Sequence, residues 1–382
     1  MTSRVVADES DLLDLSSTLR SQTRIALDCE AAGFHRYSDR LCLLQVTTDS
    51  ATYIVDPLAF DVAELFRGPL EDPDVEIVMH GADYDLRLLD RDLGIRMQGL
   101  FDTQVAASIL GESALGLQAL LEGRLGVALS KKFQRADWAE RPLSDGMLDY
   151  AADDTRHLMK LADMLVADLA AAERTAWAFE ECRALEANAL ARPTDEAPED
   201  PVARVKGARD LTPREVHALR EALDWRDGLA RARDRAPFRI VGDPPLLEAV
   251  LRRPLDTREL ADIQGFPGGL ARAEGEELLR RFDQVAQLPD DQLRPYPRNS
   301  RRGPGRPPPE VEELAEKLKS ARNKRAEALG LDRGTLLPNA LVVAVAVEAP
   351  SDLDALARID GIRGWQVEVV GPALLEVLHR RR

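Results

Sequence analysis

The residues best suited to chemistry in this sequence are acids placed where structural elements end. The stretch Arg24-Ile25-Ala26-Leu27-Asp28-Cys29-Glu30-Ala31-Ala32-Gly33 is an apolar run closed by two carboxylates one residue apart. Ile25-Ala26-Leu27 predicts a buried strand, and alternation along a strand puts Asp28 and Glu30 on one face. Neighbouring carboxylates repel each other and are costly to desolvate. A divalent cation between them relieves both costs, and hard oxygen ligands suit magnesium or manganese. A lone pair of this kind is most often a solvated strand end with two surface acids, so the rest of the chain has to supply company. It does so at Asp85, at the start of a helix after His80, and at Tyr150-Ala151-Ala152-Asp153-Asp154, where Tyr150 and Asp154 share one helix face. Singly, Asp85 reads as a helix N-terminal acid favoured by the macrodipole, and Asp153 and Asp154 as solvated surface. Together they offer four carboxylates and a phenol, a set suited to attack of water on a phosphodiester. Two divalent cations about 3.5–4 Å apart hold the attacking and leaving oxygens in such chemistry, and the four acids leave the loaded site able to accept an anion. A tyrosine hydroxyl, with an ordinary pKa of about 10, can orient the water while staying protonated.

The elements that must position these groups follow from periodicity. Residues 9–20 predict an amphipathic helix with Asp8 or Ser10 as N-cap. Strands are expected at 24–30, 41–47 and 52–55, with a turn at Gly33 and the first pair close enough for a hairpin. A helix around 59–67 leads to a strand at 75–79. That strand runs through His80-Gly81-Ala82-Asp83-Tyr84-Asp85 into a helix carrying Leu86, Leu88 and Leu89. Phe101-Asp102-Thr103 reads as a short strand feeding a helix over 103–110, and the pattern is helical from there to about 188. Hairpin strands followed by strand–helix alternation predict a mixed sheet with helices on both faces.

The chain of 382 residues is long enough for two or three domains. No apolar run approaches membrane-spanning length, and the start carries no signal-peptide pattern, which predicts a soluble cytoplasmic protein without a membrane partner. Cys29, Cys42 and Cys182 lack metal-ligand spacing and suggest a reducing compartment. The five histidines form no H-x-x-x-H pair, which argues against zinc. The net charge of −16 hides an asymmetry: residues 1–200 hold 19 Lys+Arg against 38 Asp+Glu, a net of −19, and residues 201–382 hold 32 against 29, a net of +3. An acidic body is thus followed by a near-neutral half with basic clusters.

Residues 192–204 are acidic and Pro-rich and read as a linker. A second linker spans 288–309, with seven prolines, with Arg298, Arg301, Arg302 and Arg306, and with no acid from 292 to 309. The pieces after the two linkers resemble each other at a fixed offset of 96 residues. Arg226, Pro254, Leu260, Gly265 and Gly275 meet Arg322, Pro350, Leu356, Gly361 and Gly371. Matched Pro and Gly in helical segments point to a duplicated small helical domain. The expected organisation is therefore 1–190 catalytic, 191–204 linker, 205–287 first accessory domain, 288–309 linker and 310–382 second accessory domain.

The residues also match a family. Asp28-x-Glu30, His80-x4-Asp85 and Tyr150-x3-Asp154 resemble the three motifs of the DEDDy 3′–5′ exonucleases. The stretch Lys132-Phe133-Gln134-x2-Asp137-Trp138-x2-Arg141-Pro142-Leu143 resembles the segment before the third motif in the ribonuclease D family, and Phe101-Asp102-Thr103-Gln104 fits between motifs two and three. The duplicated pieces resemble tandem helicase-and-RNase-D C-terminal (HRDC) domains. The resemblance implies an α/β ribonuclease-H-like mixed sheet with flanking helices, followed by two small all-α helical domains. It further implies a 3′–5′ exoribonuclease that uses two divalent cations, Mg²⁺ or Mn²⁺, trims structured RNA precursors such as tRNA, and releases nucleoside 5′-monophosphates. Carried over by position, Asp28, Glu30, Asp85 and Asp154 become metal ligands and Tyr150 the water-orienting group. Asp83 and Asp153 are the near-miss alternatives, and His80 is a structural residue. The catalytic motifs serve a DNA exonuclease equally well. The accessory domains, and the absence of a G-x4-G-K-[ST] nucleotide loop, favour RNA and no nucleotide cofactor. A nucleic-acid-binding scaffold with a degenerate site is the third reading, and it predicts a lost ligand where the sequence has lost none. RNA affinity is expected from Arg204, Lys206 and Arg209, from the Arg226–Arg239 cluster and from the Pro/Arg-rich linker, with Lys131, Lys132 and Arg135 nearer the site.

Overall fold

The structure is a computed structural model and describes residues 2–191, 200–297 and 308–380. Its centre is a six-stranded sheet built from β1 (Thr2–Val5), β2 (Arg24–Ala31), β3 (Leu41–Thr47), β4 (Ala51–Val55), β5 (Glu76–Met79) and β6 (Leu100–Asp102), in the order β1-β4-β3-β2-β5-β6. β3 runs antiparallel to both of its neighbours, β2 and β4, whereas β5 and β6 extend the sheet in parallel from β2. Every residue of β3 and β4 is buried, as strands covered on both faces must be. The helices are α1 (Glu9–Leu19), α2 (Ala63–Glu71), α3 (Asp83–Leu88), α4 (Thr103–Leu110), α5 (Leu117–Leu125), α6 (Asp145–Arg156), α7 (Leu158–Ala171) and α8 (Thr175–Ala191). Ile25 and Leu27 of β2 pack into a core shared with Leu15 of α1 and Phe66 of α2. Ala26 packs to the other face with Leu158 and Leu161 of α7. Asp28 and Glu30 share the parity of Ala26, so the strand itself aims them towards the α6–α7 side.

Three local readings are corrected by the fold. The short strand β1 was not expected; its four residues pair in parallel with β4, a partnership that only long-range contact creates. The helix expected at 59–67 begins four residues later, because Asp56 holds residues 58–60 in a turn through bonds to Leu58 N, Ala59 N and Phe60 N. The stretch 126–144, expected to be helical, is irregular. Gly126 ends α5 in the left-handed conformation at φ 68°, and Ser144 opens α6 as an N-cap bonded to Met147 N.

The two accessory modules repeat each other closely. The first holds α9 (Pro213–Ala232), α10 (Pro237–Ile240), α11 (Asp243–Arg252), α12 (Thr257–Ala261) and α13 (Gly268–Gln287). The second holds α14 (Pro309–Leu329), α15 (Arg333–Leu336), α16 (Asn339–Glu348), α17 (Leu353–Ala357) and α18 (Gly364–His379). Starts coincide at the 96-residue offset, and so do interactions. Arg226 donates to Val241 O (3.1 Å) and Asp243 Oδ1 (2.6 Å), while Arg322 donates to Leu337 O and to Asn339 Oδ1 (2.7 Å). Arg226 is therefore a structural strut of its module and not part of an open basic cluster. Residues 288–297 belong with the first module, tied by Arg214 to Asp290 (2.7 Å) and by Arg220 to Pro295 O (2.7 Å). Residues 200–204, expected in the first linker, also belong with that module, Val202 in its core and Asp200 paired with Arg220 (2.6 Å); 192–199 and 298–307, with Arg298, Arg301, Arg302 and Arg306, lie outside the described residues.

Both modules dock on the nuclease. The second shares its apolar core: Trp177 of α8 stacks on Trp365 at 4.9 Å and 17°, and Glu180 accepts from Gly364 N (2.6 Å) and Trp365 N (3.0 Å) at the start of α18. Carboxylates at a helix N-terminus satisfy otherwise unpaired N–H groups. The first module meets the loop that follows β2. Tyr37 donates to Asp227 (3.0 Å), Ala236 N to His35 O (3.0 Å), and Arg36 pairs with Asp234 (3.5 Å).

Candidate active site

Each acidic motif is carried by a different element, and the fold converges them. Beyond Ala26, β2 is paired only with β3, Asp28 facing Gln45 and Glu30 facing Leu43, with a register shift after Glu30. The open side of β2 receives α6. This helix presents Ala151 and Ala152, both fully buried, so its backbone comes close to the sheet. Thr155 fixes its rotation through a buried hydroxyl chain, Thr155–Thr47–Thr52, with 2.8 Å at each step. Asp154 then falls beside β2, and one ligand oxygen from each of Asp28, Glu30 and Asp154 lies within 4.8 Å of the others.

Asp85 arrives on α3, where it is buried. It is not a member of the tight triplet, yet it stands close enough to Asp28 for that charge to raise the Asp85 pKa further. The turn into α3 is held by Asp102, a fully buried carboxylate that accepts from Gly81 N (3.0 Å), Ala82 N (2.8 Å), Gln104 N (2.8 Å) and Val105 N (3.2 Å). One side chain thus caps α4 and anchors the loop ahead of Asp85. The sequence signal for the cap was present in Asp-Thr before an apolar helix, whereas the second set of bonds, some twenty residues back, had no local signal. His80 Nδ1 lies 2.9 Å from Thr103 Oγ1, which itself bonds Met79 O, and burial lowers the His80 pKa. A neutral, tethered imidazole is a wall of the site.

Tyr150 sits one turn before Asp154, its ring against Trp138 (6.0 Å) and Phe133 (6.2 Å). The irregular stretch 126–144 supplies both rings. Arg141 clips that stretch to the body through Asp56 (2.6 Å) and Cys42 O (2.9 Å), and braces it internally through Trp138 O (2.7 Å). His80, Gln118, Lys131, Gln134, Tyr150 and Asp154 line a groove of about 580 Å³ beside the triplet.

The electrostatics are those of a cation-binding site. Burial, opposed by a backbone bond from Cys29, pushes Asp28 up to about 7, and burial followed by repulsion from Asp28 and Asp153 pushes Asp154 up to about 8. Glu30 rises well above its usual range through burial and then through Asp28, Asp154 and Asp85; Asp85 does so through burial and then Asp28 and Asp102. None of the four carboxylates is in an ion pair among the described residues, although arginine is abundant nearby. The two neighbouring acids behave otherwise: Asp153 pairs with Arg156 (2.5 Å) and Asp83 with Arg87. Unpaired, buried, mutually repelling oxygens fit a hard divalent cation. Burial and then the acids Asp154, Glu30 and Asp28 raise the Tyr150 pKa, so the phenol keeps its proton.

Sequence comparison agrees with this geometry. A family profile described as 3′-5′ exonuclease matches residues 3–170, and the HRDC domain profile matches twice, at 217–281 and 311–378. Ribonuclease D of Pseudomonas paraeruginosa is 31% identical over 378 residues, covering 98% of this chain and 96% of that protein. A crystal structure of a protein from Bifidobacterium adolescentis shares the fold with a TM-score of 0.82 at 24% identity, over 98% of this chain and 97% of that one. The structure of Escherichia coli RNase D, described as an exoribonuclease involved in structured RNA processing, superposes with a TM-score of 0.69 at 25% identity over 100% and 99% of the two chains. A nuclease sheet carrying convergent unpaired acids, two HRDC modules, and a relative matched almost end to end leave one conclusion: the chain belongs to the ribonuclease D family of 3′–5′ exoribonucleases.

Proposed function

We propose that this exoribonuclease trims 3′ single-stranded ends of structured RNA precursors, tRNA among them, and releases nucleoside 5′-monophosphates one at a time. In this reading Asp28, Glu30, Asp85 and Asp154 hold the divalent metal, Mg²⁺ or Mn²⁺, and Tyr150 orients the attacking water through its protonated hydroxyl. The observation that carries it is the triplet Asp28, Glu30 and Asp154, within 4.8 Å and without a cationic side chain to neutralise it. Two divalent ions, when bound, supply the charge that activates water and offsets the departing 3′ oxygen. The chain's own residues do the positioning: the groove at His80, Gln118 and Gln134 takes the terminal nucleotide, and Lys131 faces its phosphate. We assign the catalytic body to 1–190 and the accessory domains to 205–287 and 310–382, the first extended by the packed residues 200–204 and 288–297, with a cytoplasmic location. No helix among the described residues is long and apolar enough to cross a membrane.

The test is an end-labelled single-stranded RNA beside a DNA of the same sequence, with Mg²⁺, Mn²⁺ or chelator. A ladder of 3′-shortened RNA that vanishes in chelator is expected, with DNA cut more slowly. Tyr150→Phe should keep the ring packing and lower the rate by about 10²–10⁴-fold, the range for a group that handles a reacting proton or water. Full activity in chelator, or an undiminished Tyr150→Phe, would overturn the assignment of roles; equal cutting of DNA would overturn the RNA preference.

A further inference from the structure

The seam between the loop after β2 and the first accessory module carries two open aromatic rings among guanidinium groups. Phe34 and Phe238 meet at 5.5 Å between centroids, and they remain 41% and 52% exposed. Arg135 and Arg239 lie 5.7 and 5.0 Å from the Phe34 ring. The rings are not what closes the seam. Backbone and ionic bonds do that, through Ala236 N to His35 O, Arg239 Nε to Phe34 O (2.9 Å), Tyr37 to Asp227 and Arg36 to Asp234. The arginines at the seam also differ from two neighbours, since Arg36 pairs with Asp137 (2.8 Å) and Arg141 with Asp56 (2.6 Å). Arg135 and Arg239 have no carboxylate partner among the described residues.

We propose that this seam is a nucleobase-stacking subsite for single-stranded RNA upstream of the cleaved end, with Phe238 as the stacking ring, Phe34 as its support, and Arg135 and Arg239 facing phosphate. It rests on the RNA reading given above. Three arguments point to this occupant. Exposed rings interleaved with guanidinium groups that no carboxylate neutralises are what a polyanion with flat apolar bases requires. The subsite is tied to the catalytic groove by one stretch of chain, since Lys131 and Gln134 line the groove and Arg135, the next residue, lies against Phe34. His35 Nε2 also bonds Arg135 O (2.8 Å), which fixes that stretch to the loop only a few residues beyond Glu30. Phe238 itself comes from the accessory module, so the nuclease and its neighbour build the subsite jointly.

The experiment is an abasic scan. A single-stranded oligoribonucleotide is bound to the full-length protein in chelator, with bases removed one position at a time. One upstream position should lose roughly tenfold or more in affinity when its base is absent, the scale of a base–aromatic stack. In Phe238→Ala the intact RNA should bind more weakly by a similar factor, and the penalty at that one position should disappear. Phe238→Trp should restore both. Phe238→Leu, which keeps apolar area at the seam but no aromatic face, should behave like Phe238→Ala. Additive penalties, or wild-type affinity in Phe238→Leu, would make Phe238 a docking residue and overturn the subsite while leaving the RNA reading intact. If the wild-type protein holds no RNA at any position, the RNA reading fails and the subsite fails with it.

Discussion

At the scale of single residues the site is defined by what its acids lack. Asp28, Glu30, Asp85 and Asp154 are crowded and unpaired, whereas Asp83 and Asp153, one or two positions away, have arginine partners on their own helices. This has a consequence for stability without metal. Asp28 titrates near 7 and Asp154 near 8 in the folded chain, against 3.8 for a free side chain. A carboxyl whose folded pKa is raised favours folding while protonated. That contribution is fully present below about pH 4 and is lost as pH rises through 7 to 8. Metal-free protein should therefore melt at a lower temperature at about pH 8.5 than at about pH 5.5. Added Mg²⁺ should raise the melting temperature chiefly at the higher pH, and Asp28→Asn should flatten the metal-free profile while abolishing hydrolysis. Melts in chelator and in Mg²⁺ across this range check it; an Asp28→Asn profile as steep as wild type would place the pH dependence elsewhere. The identities of these acids were legible in the sequence because their spacings are local. That Asp85 stands slightly apart from the other three was not, because it depends on how far α3 reaches over β2.

At the scale of elements the site depends on two devices that hold helices in place, the Asp102 cap and the Thr155–Thr47–Thr52 chain. Asp102→Ala would leave four N–H groups at Gly81, Ala82, Gln104 and Val105 without their acceptor, in a fully buried setting. A destabilisation on the order of 3 kcal/mol is expected from lost bonds to a charged acceptor. Because the same loop places Asp85, activity should fall even at temperatures where the variant is folded. Denaturant titration beside a rate assay measures both; a stability loss below about 0.5 kcal/mol, within the range of ordinary surface substitutions, would show that Asp102 does not anchor the loop. The elements were mostly readable before the fold was known. β3 spans 41–47 and α4 spans 103–110, as their apolar runs and the Asp102-Thr103 boundary indicate. The failures have a common cause. β1 exists because β4 offers it an edge, and 126–144 is irregular because Arg141 and the rings of Phe133 and Trp138 tie it to the body. Neither partner lies within the window that periodicity inspects.

At the scale of the whole molecule the nuclease and the second module form one packed unit. Leu314, Leu318, Val342 and Trp365 continue the core that contains Leu161 and Leu165 of α7. Removing residues 203–382 would therefore strip a buried face from the nuclease and not merely detach an RNA-binding tail. A single substitution isolates the effect. Trp365→Ala should cost about 3–5 kcal/mol, the usual penalty for truncating a buried tryptophan. The nuclease and the second module should lose stability together in one transition, with the first module's helices following separately. Hydrogen exchange resolved by segment would show this, and protection lost in α14–α18 alone would sink the idea of a shared unit.

The two copies of the duplicated module also share a habit of attachment. The first grips the nuclease through the corner that joins α9 to α10, with Asp234 and Arg239; the second uses the corner that joins α14 to α15, where Gly330 approaches Gly111 and Thr335 bonds Ser108. Asp234 and Gly330 are the same position 96 residues apart, and so are Arg239 and Thr335. One repeated corner thus meets two unrelated receptors on a single catalytic body. A glycine stands at 334 where the first copy carries Phe238. A side chain at 334 would meet only Asp332 of its own segment; the tight approach to the end of α4 is made at Gly111, where any side chain would run into the Gly330 carbonyl.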